Sequence, residues 1–136
     1  MGQKIRPDSY RLGITQSWNA RWFSRGSFKR LLQEDEIIRN VVHERIATAG
    51  ISRIDIERTQ NACRIFILAA RPGLIIGRGG QGIQDLTKAI ESGLKHFYVK
   101  EKITVKPVAL NLNVEELKRS SVASSNTAQN MAWDLE

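Results

Sequence analysis

Residues Gly77-Arg78-Gly79-Gly80 form a Gly-x-x-Gly turn, entered through Arg71-Pro72-Gly73-Leu74-Ile75-Ile76 and followed by the helical pattern Ile83, Leu86, Ile90, Leu94. This order of residue types suits the binding of a sugar-phosphate chain. Glycine lacks a Cβ, takes positive φ freely and lets a nucleic-acid backbone approach the main chain. A helix opening at the turn adds unpaired N–H groups and the positive end of its dipole. Arg78 adds a mobile charge, so Gly77, Arg78, Gly79 and Gly80 are expected to form an RNA clamp.

The same stretch, Gly77 to Gly82, also satisfies Gly-x-Gly-x-x-Gly, with Glu101 some twenty residues on, as a dinucleotide site would require. That site needs a full strand directly before the glycines and the acid at the end of the next strand. Pro72-Gly73 leaves no room for the first, and Glu101 precedes the third expected strand. His43 and His96 fall on separate helices, and Asp35 and Glu36 read as helix-start acids rather than a catalytic pair. No nucleophile elbow, phosphate-loop lysine or metal-ligand spacing occurs. The expectation is a protein without catalytic residues, metal, cofactor or small-molecule substrate.

The charge balance points the same way. The chain has 136 residues, a formal charge of +7 and a pI near 10.0, which suits a polyanionic partner. Residues 1 to 30 hold Lys4, Arg6, Arg11, Arg21, Arg25, Lys29 and Arg30 against Asp8 alone, seven minus one, or +6 of the +7. They also hold five of the nine aromatics, Tyr10, Trp18, Trp22, Phe23 and Phe28. This is a basic aromatic arm without a core of its own, ordered by a partner. Its cations are expected on phosphates, with Trp18 and Trp22 stacking or wedging beside them. The contrary reading folds both tryptophans back on the domain. Cys63, the single cysteine, excludes an internal disulfide and reads as a small buried residue. No apolar run approaches the roughly 20 residues of a membrane span.

The elements that must position these residues follow from periodicity. Ile38, Val42, Ile46 and Ala49 make an amphipathic helix from about Glu34, ended by Gly50. Ile54 and Ile56, then Ile65, Ile67 and Ala69, alternate as two strands with a turn at Gln60-Asn61. Leu74 to Ile76 fit one helical turn, and the helix after the glycines reaches about Phe97. A third strand is expected over about Ile103 to Leu112, with a phase shift at Lys106-Pro107 that implies an edge or a bulge. Leu117, Val122, Ala128, Met131 and Leu135 outline a last helix from about Val114.

Together, Met1-Gly2-Gln3-Lys4-Ile5-Arg6-Pro7, Arg11-Leu12-Gly13-Ile14, Trp18-Asn19 with Trp22-Phe23, Ile51-Ser52-Arg53-Ile54, and Ala70-Arg71-Pro72-Gly73 leading into Ile75-Ile76-Gly77-x-x-Gly80 resemble the N-terminal half of bacterial small-subunit ribosomal protein three. The resemblance implies an α+β, type II K-homology (KH) domain: a three-stranded mixed sheet with helices packed on one face. It implies an arm over 1–30, the KH domain over 31–112, and over 113–136 the start of a further domain, cut short after Ala128 to Glu136. It also implies a structural part in the head of the small ribosomal subunit. The partners would be small-subunit rRNA and neighbouring head proteins near the side where mRNA enters, with mRNA itself left open. A ribosomal location would be cytoplasmic, although the arginine-rich start has the composition of an organellar targeting segment too. Relatives commonly carry two basic residues between the glycines, where this chain has Arg78-Gly79. The rival reading is a free-standing KH regulator that holds about four nucleotides of single-stranded RNA. It would keep its affinity without the arm.

Overall fold

The computed structural model describes residues 2–24, 26–59, 62–102, 109–118 and 123–135. Four strands, β1 (Ala20–Arg21), β2 (Ile51–Arg58), β3 (Ala62–Ala69) and β4 (Ala109–Glu116), form a mixed sheet in the order β1-β2-β3-β4. The hairpin β2-β3 is antiparallel, and Thr59 N–H donates to the Ala62 carbonyl at 2.9 Å across its turn. The turn residues Gln60 and Asn61 lie outside the described residues. β4 runs parallel to β3, and β1 parallel to β2.

The sheet is therefore one strand wider than the sequence suggests, because the arm lends it an edge. In a three-stranded sheet the outer N–H of Ile56 would be left unpaired. Here it donates to the Asn19 carbonyl at 2.8 Å.

Period-two alternation sends Ile54, Ile56, Cys63, Ile65, Ile67 and Ala69 into the core, with Leu110, Leu112 and Val114 of β4 packed against them. Two long helices, α2 (Phe28–Ile46) and α4 (Gln81–Lys100), cover that face. They contribute Ile38 and Val42, and Leu86, Ile90 and Leu94, each stripe at helical spacing. Fully burying one such aliphatic side chain is worth about 1.5–3 kcal/mol. The helices run antiparallel: a Cβ at Gly93 would touch Ile37 and Val41, while Arg45 and Ile46 share a groove with Gly82 and Leu86.

Three boundaries differ from the periodicity reading. First, α2 begins at Phe28, inside the segment read as arm, because Ser27 Oγ accepts from Arg30 N–H at 3.3 Å and caps it. Asp35 is consequently no helix-start acid but a buried residue two turns in. Second, β4 occupies Ala109–Glu116; residues 103–108, including Lys106-Pro107, lie outside the described residues. Leu110, Leu112 and Val114 pair with Cys63, Ile65 and Ile67 and carry the ladder to Glu116. Third, the last helix α5 (Ser124–Asp134) starts ten residues later than Val114, which belongs to the strand.

Candidate nucleic-acid interface

Around the glycine turn, backbone conformation does what side chains cannot. The short helix α3 (Pro72–Ile76) follows β3, starts with proline at its first position and is pinned by Ile75, which is 1% exposed. Gly77 N–H donates to the Gly73 carbonyl at 3.0 Å, and the chain then turns through Gly77 (φ 68, ψ −178), Gly79 (φ 63, ψ 20) and Gly80 (φ 78, ψ 9). The Gly77 conformation is essentially restricted to glycine. Gly79 occupies left-handed space, which glycine enters without a Cβ penalty. Gly80 caps α4 with no side chain over the first N–H groups, and Arg78 is exposed beside them. Gly82 adds close approach: a Cβ there would collide with the Ile75 carbonyl, so α3 and α4 touch main chain to main chain.

The arm is built differently. A five-residue helix, α1 (Pro7–Arg11), leads into a tight turn in which Gly13 N–H donates to the Gln16 carbonyl at 2.9 Å. Two arginines of the domain then take hold of the chain. Arg39 of α2 donates from Nη1 to the Ile54 carbonyl at 2.7 Å and from Nη2 to the Asn19 carbonyl at 3.2 Å. Arg53 of β2 donates from Nη2 to Ser17 O and Oγ, both at 3.0 Å, while its Nε bonds Asp55 Oδ1 at 2.6 Å. Neither arginine stands out in the sequence.

Trp22 completes the attachment. Its Nε1–H donates to Asp35 Oδ2 at 2.8 Å and its ring lies 5.4 Å from that of Phe28. Asp35 and Glu34 are 4% and 3% exposed and are bridged by Arg58, which reaches Asp35 Oδ1 at 2.5 Å and Glu34 Oε2 at 2.7 Å. Burial alone would lower the Arg58 pKa, but Asp35 and Glu34 hold the guanidinium above its ordinary value. Burial pushes the Cys63 thiol up to about 11, and burial with a hydrogen bond to Glu34 pushes the Tyr98 phenol up to about 12. This network fastens arm, α2, β2 and α4 at one end of the molecule.

A profile of the KH domain family matches residues 37–121. The chain belongs to the KH domain family. Across its whole length it is also 36% identical to the small ribosomal subunit protein uS3 of Geobacter sulfurreducens, 40% to that of Alkaliphilus oremlandii and 37% to that of Clostridium acetobutylicum. It spans 59%, 53% and 57% of those proteins respectively. The resemblance drawn from the arm and glycine motifs is thus found in the relatives, and the α+β KH fold is the one observed.

The KH domain separates the expected contact residues into two groups. Gly77, Arg78, Gly79 and Gly80 lie at the N-terminus of α4, beside the C-terminal end of α2, where Arg45 borders the groove. The arm joins near Asp35, and the ten residues from there to Arg45 span about 15 Å of helix. Lys4, Arg6, Arg11 and Lys29 are exposed, as is Trp18 at 62%. Several are engaged within the protein: Arg11 donates from Nη1 to the Pro7 carbonyl at 3.0 Å, Arg21 pairs with Glu57 at 3.0 Å and Asp55 at 3.8 Å, Arg30 with Glu34 at 3.5 Å, and Trp22 with Asp35. For Trp22 the inward-folded reading therefore describes the structure, because a half-buried indole N–H finds a carboxylate. Arg25 lies outside the described residues. His43 and His96 are both exposed, and no group of three or more potential metal ligands occurs among the described residues.

Proposed function

We propose that the protein is a non-catalytic constituent of the small ribosomal subunit that binds small-subunit rRNA in the head, near the side where mRNA enters. The observation that carries this reading is similarity to proteins named as small-subunit components over the entire chain, arm included, rather than over the KH domain alone. In this reading Lys4, Arg6, Arg11 and Lys29 meet phosphates, Trp18 stacks beside them, and Trp22 and Arg21 hold the arm in place. The turn Gly77 to Gly80 offers bare main chain and α4 N–H groups to a second backbone segment, of rRNA or of mRNA. Neighbouring head proteins are the remaining partners, and the ribosome, cytoplasmic by default, is the location.

The test is incorporation. The chain is expected to sediment with small-subunit particles and to stay bound through a high-salt wash. Reversing Lys4, Arg6 and Arg11 to glutamate should release it. A free-standing regulator would instead remain outside the particles and keep its affinity for short single-stranded RNA after the same reversal.

A further inference from the structure

Between the arm and α2 the structure leaves a hollow of about 390 Å³ that no motif announces. We infer that this hollow receives one unpaired nucleotide of a bound RNA, its base placed against Trp18 and its phosphate beside Arg6 and Arg39. The inference rests on the RNA-binding reading of the arm and adds to it what the arm recognises.

The size lies within the roughly 300–1,000 Å³ of pockets that hold small organic ligands. Its wall is fixed rather than loose, because Arg39 is held by the Ile54 and Asn19 carbonyls. Those two bonds use two of the five N–H donors of a guanidinium, and the rest suit phosphate or base oxygens. Gln16 and Asn19 present amide side chains, with both donors and acceptors for a base edge, and Ser9 adds a hydroxyl. Trp18 stands at the rim with most of its ring uncovered. One aromatic face, two cations and two amides in one concavity match the needs of an unstacked base, which is read by stacking and by edge hydrogen bonds. A paired duplex offers phosphates to the arm but no free base to the hollow. The hollow is built from the arm and Arg39, whereas the glycine turn lies at the N-terminus of α4, so the two sites use different residues.

The experiment uses the full chain and a pair of hairpin RNAs, one fully paired and one carrying a single bulged nucleotide, with each of the four bases in turn. Affinities are measured by fluorescence anisotropy at one fixed salt concentration. The bulged hairpin is expected to bind about ten-fold more tightly, as loss of one base–aromatic stack would suggest. In Trp18→Ala with Gln16→Ala the ratio should fall towards one, while Trp18→Phe, which keeps a ring, should retain most of it. A melting curve for each variant separates lost recognition from lost folding. Equal affinity for both hairpins overturns the inference alone, as does a preference that survives the double substitution. Competition by free AMP as tight as the bulged hairpin also overturns it, in favour of a mononucleotide pocket. If neither hairpin binds at low ionic strength, the RNA-binding reading itself falls and takes the inference with it.

Discussion

The two ends of the α2–α4 layer are specified by opposite means. At the arm end, side chains do the work, with Arg58 between Asp35 and Glu34 and Trp22 on Asp35, while Arg39 and Arg53 hold arm carbonyls further along the sheet edge. At the glycine end, side chains are missing where they would obstruct, and Gly77, Gly79, Gly80 and Gly82 set both the turn and the closeness of α3 to α4. One end is therefore vulnerable to losing atoms and the other to gaining them. The difference also bears on function, since a polar lock fixes where an appended arm sits, whereas bare backbone leaves room for a ligand.

The largest expected effect comes from deleting the lock. Arg58→Ala leaves Asp35 buried without its cation and Glu34 with only the longer contact to Arg30, and breaking a buried pair in this way costs about 3–5 kcal/mol. Urea unfolding should register that loss, and hydrogen exchange should show residues 17–22 released with it. A loss below about 1 kcal/mol would mean that the charges are solvated and that the arm is held by its strand pairing alone.

Adding a single methyl at the other end should cost less. In Gly82→Ala the new Cβ meets the Ile75 carbonyl, so α4 must move away from α3, and overpacking of this kind costs about 1–3 kcal/mol. Affinity for single-stranded RNA should fall along with thermal stability, because the same shift opens the turn. Arg78→Gln, which adds no bulk, should lower affinity without changing the melting temperature. If Gly82→Ala were neutral in both measurements, the close helix approach would not be what shapes the clamp.

Alkaline pH should loosen only the locked end. The Cys63 thiol and Tyr98 phenol have folded-state values raised from 9.0 to about 11 and from 10.0 to about 12. The folded chain thus keeps protons that the unfolded chain gives up. Stability is flat below about pH 9 and falls as pH rises through about 11 and 12. Cys63→Ala should remove the lower part of that fall and Tyr98→Phe the upper part. Both groups sit beside the Arg58 network, so a decline unaltered by either substitution would place the alkaline weakness elsewhere.

How far each end is legible in the sequence follows from the same contrast. The glycine turn and its flanking helices are legible because they are local: glycines at fixed spacing, a breaking Pro72, apolar residues every three or four positions. The hairpin is legible from alternation. The arm's attachment is not, because its partners lie far apart in sequence, Asn19 with Arg39, Ser17 with Arg53, Trp22 with Asp35. Arginines that hold carbonyls look the same in a sequence as arginines that hold phosphates. The start of α2 is obscured because Phe28 and its neighbours read as part of an aromatic arm, although Ser27 is a usable cap signal. The end of β4 is obscured because Val114 and Leu117 fit a helical stripe as well as a strand, and only pairing with β3 decides for Val114.

The smallest expected effect separates those two kinds of arginine. Removing one cation that meets a phosphate should reduce the slope of log affinity against log salt by about 0.7–0.9. Lys4→Gln and Arg11→Gln should each do so, since both side chains are exposed on the arm and neither is paired with a carboxylate among the described residues. Arg21→Gln should not, because Glu57 and Asp55 already occupy its guanidinium, and a cation neutralised within the protein releases few counterions from RNA. The formal arm charge of +6 would then overstate the electrostatic contact by at least that residue. A slope reduced equally by Arg21→Gln would mean that the Glu57 pair opens on binding, and that the arm edge of the sheet, not only its outer helix and turn, lies against the RNA.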